Sequence, residues 1–300
     1  MIIIILNKMR SSDFRFALDF LKFLYVFRSY TILYSIIIIG INSLTQEVKG
    51  AFEKKEVGAS SFAIGNAAVA IDQYSFAVYY NPAAISTKEI FQTSFSFQNY
   101  FGISDLNSVD LTTNFKLASQ PFSIALNRFG NKLYQEIQLT VASRYEILEY
   151  CAVGISVQGY MLSIHQHGQV LTWGINFSTL YKLLPELSLG ALITNLNQPR
   201  ISAIQEKLPQ TMSLGLCYYP VPDLMVSFEI FQDMRFSQEY RAGCSYQVIS
   251  FLTVRAGIED KLNIYSYGLG ISMKNIDFDY TLRNHPVLGI SHIATFSIIL

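Results

Sequence analysis

The sequence is poor in charge. Asp, Glu, Lys and Arg make up 15% of its 300 residues, against about 25% in an average soluble domain. Its 22 basic and 22 acidic residues cancel, and no basic patch stands out, so nucleic acid is not an expected partner. Cysteine occurs three times, at Cys151, Cys217 and Cys244, an odd number without metal-ligand spacing. No metal or cofactor is expected. His165-Gln166-His167 offers two imidazoles with no third ligand beside them. Gly268-Leu269-Gly270 is followed by no helical pattern and is not a dinucleotide fingerprint. No convincing Ser/His/Asp or Cys/His arrangement is visible, so an enzyme is not expected. Long apolar runs are also missing after residue 45: no stretch of 18 uncharged apolar residues could cross a bilayer as a helix.

What is present is apolar and aromatic. Hydrophobic residues make up 51% of the chain, with 19 Tyr and 22 Phe but one Trp. A composition so poor in charge fits lipid better than water. Without a spanning helix, a closed β-barrel is the remaining structure that satisfies its backbone in a membrane.

The first 45 residues read as a signal segment. Lys8, Arg10, Arg15, Lys22 and Arg28 against Asp13 and Asp19 lead into an apolar core over residues 30–41. Cleavage is plausible after Thr45, and Met9 is an alternative start. Residues 46–57 (QEVKGAFEKKEV) are charged and are expected to form a lead-in on the periplasmic side. Together with the next block they give a division of 1–45, 46–88 and 89–300.

From residue 89 onwards about fourteen strand-like runs of ~9–15 residues follow, the length of a tilted transmembrane strand. In 169–181, Leu171, Trp173, Ile175, Phe177 and Tyr181 share one face, against Thr172, Gly174, Asn176 and Ser178. In 211–219, Met212, Leu214, Leu216 and Tyr218 oppose Thr211, Ser213, Gly215 and Cys217. Successive side chains of a strand point to opposite faces, and a lipid-facing apolar row with a polar inner row is the barrel pattern. Alternate connections are compact, such as Ser119-Gln120 and Lys274-Asn275. The opposite set holds the two longest, 100–107 and 196–208. The expected fold is a ~14-stranded antiparallel transmembrane β-barrel with a small-residue N-terminal segment in its lumen.

That segment is 58–86, GASSFAIGNAAVAIDQYSFAVYYNPAAIS, in which Asp72 is the one charge. Gly58, Ala59, Gly65, Ala67, Val69, Ala70, Ala77, Val78, Tyr79, Asn81, Pro82 and Ala83 resemble the hatch of FadL-type outer-membrane proteins, more closely its PorV/PorQ-like branch. Ser60 stands where that pattern has arginine, Asn66 and Ala84 where it has glycine, and Gln73-Tyr74 where it has an acidic pair. Later stretches, Tyr240-Arg241-Ala242-Gly243 and Val254-Arg255-Ala256-Gly257 among them, resemble the family's later strands. The resemblance makes Gly58, Ala59, Gly65, Ala67, Asn81, Pro82 and Ala83 hatch residues. It implies an outer-membrane location and two alternative roles. The first is a secretion-associated component of type IX secretion that partners secretion-system proteins or exported cargo. The second is a channel for long-chain fatty acids or other hydrophobic molecules. Compact size and short loops favour the first. Outer-membrane lipid surrounds the barrel in either case.

The alternation also sorts the charges of the later strands. Glu229, Glu239, Arg241, Arg255, Glu259, Asp277, Asp279 and Arg283 fall on the lumen-facing register, where neighbouring strands ~4.8 Å apart allow pairing across the wall. Two roles are open to them: a ladder that closes the lumen and tethers the hatch, or a constriction that tunes passage.

Overall fold

The computed structural model describes residues 50–53, 56–88, 91–201 and 206–300. The signal segment lies outside the described residues. No helix among them is long and apolar enough to cross a membrane.

Among the described residues there are sixteen strands, all but the two-residue β8 and β9 lying where the period-two pattern runs: β1 (Phe91–Asn99), β2 (Asn107–Leu117), β3 (Gln120–Gly130), β4 (Tyr134–Leu148), β5 (Cys151–Ile164), β6 (Gly168–Leu184), β7 (Leu187–Ile193), β8 (Arg200–Ile201), β9 (Glu206–Lys207), β10 (Thr211–Val221), β11 (Leu224–Asp233), β12 (Glu239–Ile249), β13 (Leu252–Glu259), β14 (Ile264–Met273), β15 (Ile276–His285) and β16 (Gly289–Ile299). Fourteen of them close into an antiparallel barrel, each beside its sequence neighbour, with β1 paired to β16. The remaining two, β8 and β9, make a small hairpin in the connection between β7 and β10. Closure leaves the fourteen barrel strands without an exposed edge where they pair. Its register runs from Gln92↔Ile299 to Asn99↔His292.

The side-chain alternation sets the two surfaces. On β1, Ser94, Ser96 and Gln98 are buried inside, whereas Phe95 and Phe97 are exposed outside. Leu111, Leu126, Leu139, Val157, Leu214, Tyr267 and Phe296 continue the outer row on other strands. An apolar surface on this scale would drive association in water; in a bilayer it is the required face.

The connections at one end, 118–119, 149–150, 185–186, 222–223, 250–251 and 274–275, are two residues each. Ala118 and Ser119 both adopt positive φ, 49° and 68°, matching the twist of a two-residue hairpin. At the other end the loops are longer, the longest being 194–210 between β7 and β10.

Residues 56–88 lie inside the barrel. Two short helices, α1 (Ala59–Ala63) and α2 (Ala77–Tyr80), and a 3-10 turn (Pro82–Ala84) are joined by turns. Nearly all of their residues are buried. The chain enters at the long-loop end. Phe52 N donates to Glu136 Oε1 at 3.1 Å near the top of β4, and Ala51 and Phe52 pack with Tyr160, Leu162, Ile201 and Leu208. Of the lead-in, the described residues 50–53 and 56–57 thus meet the barrel at its long-loop end, with Phe52 in an apolar cluster and Glu56 beside cations inside the barrel.

Candidate functional site

The site is the seam between the luminal segment and the barrel wall. Small residues let the segment approach the wall, and glycines in the wall make room for it. A Cβ on Gly190 of β7 would lie 2.0 Å from Val69 O, and one on Gly257 of β13 would lie 2.0 Å from Gly65 N. Gly154, Gly243 and Gly268 meet Ala83, Ile64 and Ala63 in the same way. Backbone thus packs on backbone around much of the inner wall.

The hatch residues read from the sequence divide by what they touch. Gly58 has φ +88°, and a Cβ there would strike the Phe76 ring at 2.4 Å. Ala59 N donates to Thr295 Oγ1 at 2.9 Å, and its carbonyl accepts from Thr281 Oγ1 at 2.6 Å. Gly65, at φ +62°, sits over the backbone of Ile258. Ala67 is buried in the following turn. Asn81 bridges segment and wall: its Nδ2 donates to Val69 O at 2.6 Å and to Thr179 O at 3.0 Å. Its Oδ1 caps the 3-10 turn by accepting from Ala83 N at 3.0 Å. Pro82 opens that turn, where its lack of an N–H costs nothing. Ala83 N also donates to Ser178 Oγ at 3.0 Å.

The lumen-facing charges form two groups. In the first, Arg283 meets Glu259 in a fork, Nε to Oε1 at 3.0 Å and Nη2 to Oε2 at 2.8 Å. Glu56 of the segment reaches Arg241 at 3.1 Å and Arg283 at 3.7 Å. Arg241 also pairs with Glu239, and Asn66 Nδ2 donates to Glu259 Oε1 at 3.1 Å. Glu229, on β11, accepts from Val69 N at 3.1 Å. The second group is Arg255 with Asp279. Asp277, on the same strand as Asp279, enters no ion pair among the described residues.

Several partners escaped the sequence. Asp72 pairs with Arg144 of β4 at 2.7 Å and with Lys182 of β6 at 2.5 Å. Burial alone would raise its pKa, but Lys182 and Arg144 override that and hold the carboxyl below its ordinary 3.8. The signal was Asp72's isolation in an uncharged stretch; its partners lie 72 and 110 residues away. Tyr79 OH hydrogen-bonds Asp110 of β2. Burial, against the Ser60 and Ser61 hydroxyls, pushes Tyr74 up to about 12. Glu56, read from the sequence as part of the lead-in, joins Arg241 and Arg283.

Apolar clusters accompany these contacts. Val57, Ile64, Val69, Ile71, Phe76 and Tyr80 of the segment pack with Leu192 and Cys217 of the wall, with Tyr219 and Met225 alongside. At the short-turn end a cleft of about 190 Å³ opens beside them, lined by Asp72, Gln73, Lys88, Lys182, Ser188 and Tyr219 among others. No group of three or more His, Cys, Asp or Glu able to hold a metal occurs among the described residues.

No protein-family model matches the chain, and no curated protein sequence matches it. Its structure is similar to that of the Ralstonia pickettii toluene transporter TbuX (TM-score 0.61, 13% identity, covering 83% of this chain and 100% of that one). It is also similar to the CymD monoaromatic hydrocarbon channel (0.63, 13%, 83% and 99%). A Pseudomonas aeruginosa FadL homologue aligns with a TM-score of 0.51 at 11% identity, over 80% of this chain and 97% of that one. The chain therefore has the FadL-type outer-membrane barrel fold.

Proposed function

We propose that the chain is an outer-membrane channel that passes a small hydrophobic molecule along its luminal segment. The carrying observation is an apolar cluster between the luminal segment and the inner wall. Val57, Ile64, Val69, Ile71 and Phe76 face Leu192 and Cys217, and Tyr219 belongs both to this cluster's edge and to the cleft at the short-turn end. An apolar solute gains about 25 cal/mol per Å² of surface removed from water, which a wall of Ser, Thr and Asn alone would not supply. The similar structures described as a toluene transporter and a monoaromatic hydrocarbon channel support the same reading. In it, residues 58–86 act as the hatch, and the charges around Glu259 hold it against the wall.

Secretion-associated partnering of the PorV/PorQ type is the competing reading. It rests on the pattern of residues 58–83, and the comparisons add nothing to it.

The test is uptake of a labelled monoaromatic hydrocarbon and a labelled long-chain fatty acid into vesicles carrying the purified barrel. Mass spectrometry of molecules co-purifying in mild detergent completes it. Saturable uptake above empty vesicles, with a bound apolar molecule, is the expected result. No uptake, together with recovery of secretion components or exported cargo, would overturn the channel reading in favour of the other.

A further inference from the structure

At the long-loop end β6 outruns its neighbour. Its last pair with β7 is Phe177↔Ile193, yet the strand itself begins at Gly168. On the other side it stays paired with β5 as far as Ile164↔Gly168. Residues 168–176 thus form an overhang of about 30 Å, joined to the wall along one side only.

The chain covers the first part of the other side. Leu196 N donates to Ile175 O at 2.9 Å. Asn197 then imitates a strand with its side chain: Oδ1 accepts from Ile175 N at 3.0 Å, and Nδ2 donates to Trp173 O at 3.0 Å. Successive residues of a strand turn their backbone groups to opposite sides, so these bonds put the odd-numbered residues of β6 on the open side. Next in line are Trp173 N–H and both groups of Leu171 and Gln169, and among the described residues nothing bonds to them there. A row of unpaired N–H and C=O is a template for an incoming strand.

The surroundings define that strand. Leu171 and Trp173 point outward and are 74% and 56% exposed. In lipid the open backbone groups are costly, and in water these two side chains are; an added strand removes either cost. Beside Asn197, Gln198 Oε1 accepts from Lys207 Nζ at 3.4 Å, and Lys207 enters no ion pair among the described residues. Arg200 stands directly opposite Lys207 in the β8–β9 hairpin, a pairing of like charges that an anion would relieve.

We propose that the β6 overhang binds an extended segment of another protein by strand addition, its apolar side chains beside Leu171 and Trp173 and its acidic ones toward Lys207. The proposal does not depend on what the lumen carries.

Fluorescence anisotropy of labelled peptides with the full chain in neutral detergent tests it. The probes are a short peptide of alternating Val and Glu, its Val/Lys counterpart, and the Val/Glu peptide with its amides N-methylated. The wild type is expected to bind the first about tenfold more tightly than either of the others. Leu171→Pro deletes one open N–H and no bond to β5, so it should weaken binding about tenfold, whereas Leu171→Ala keeps that N–H and should weaken it less. Lys207→Glu should erase the preference for Glu over Lys. Equal binding of the methylated peptide by the wild type overturns the proposal without any variant, as does no binding of the Val/Glu peptide. So does undiminished binding by Leu171→Pro, or a dimer of this chain that Leu171→Pro disperses, which would give the edge to a second copy. Loss of hydrocarbon uptake would leave these readouts unchanged.

Discussion

Asp72 Oδ1 accepts a hydrogen bond from Arg144 Nη1 at 2.7 Å, joining the one charge of residues 58–86 to the inner wall of β4. Lys182 closes on the other carboxylate oxygen at 2.5 Å. The Arg144 side chain is 6% exposed, and the other carboxylate paired with it, Glu146, is itself largely exposed.

Asp72→Asn therefore leaves a buried guanidinium short of its main counter-charge, and Arg144 Nε already lacks a hydrogen-bond partner among the described residues. Removing one member of a buried pair costs about 3–5 kcal/mol; the half-exposed Lys182 and the nearby Glu146 reduce this to about 2 kcal/mol. A lower denaturant midpoint, with faster proteolysis within residues 72–88, is the expected outcome.

The same pair sets a pH dependence. The Asp72 pKa is lowered in the folded chain, burial being outweighed by Lys182 and Arg144. Its stabilisation is therefore fully present above the unfolded value of 3.8 and is lost as pH falls through the lower folded value. Protease sensitivity of this stretch should be flat from pH 7 to about 5 and rise below about pH 4. In Asp72→Asn the part of that rise due to Asp72 should vanish; an unchanged profile would assign the acid sensitivity elsewhere.

Gly257→Ala and Gly159→Ala separate wall contact from general strand preference. The first new methyl group would sit 2.0 Å from Gly65 N; the second meets nothing nearer than Leu139 O at 3.9 Å. Gly257→Ala should displace residues 64–65 and destabilise by at least about 2 kcal/mol, as overpacking does. Gly159→Ala should be neutral or slightly stabilising. Denaturant midpoints compared side by side decide between them.

Glu259→Gln removes the negative charge and one of the two acceptor oxygens that Arg283 and Asn66 share. A loss of about 3 kcal/mol is expected, because the Arg283 cation stays buried with Glu56 at 3.7 Å. Adding Arg283→Met should restore part of it. Non-additivity in this double-mutant cycle would show the ion pair acting as a unit.

Much of this architecture was legible because strands write their two faces into the sequence. The alternation Leu214, Leu216, Tyr218 against Ser213, Gly215, Cys217 places each residue by itself, and strand length follows from its extent. Arg241, Glu259 and Arg283 could be put on the inner face in that way. What alternation does not encode is which inner residue meets the luminal segment. Val69 N and Glu229 are 160 residues apart, Asp72 and Arg144 72. Gly190, Gly243 and Gly257 looked like ordinary small strand residues until the backbone of the segment lay across them.

The luminal segment runs directly into β1, and β1 is also the strand that meets β16. Ala59 N is bonded to Thr295 of that last strand, 236 residues away. A ring completed first would have to take the tethered segment in afterwards through its open end, past the side chains that face the lumen. Seating of residues 58–86 together with β1, before the first and last strands join, avoids that threading. In that order, a variant that delays their seating should accumulate an unclosed sheet rather than an empty cylinder.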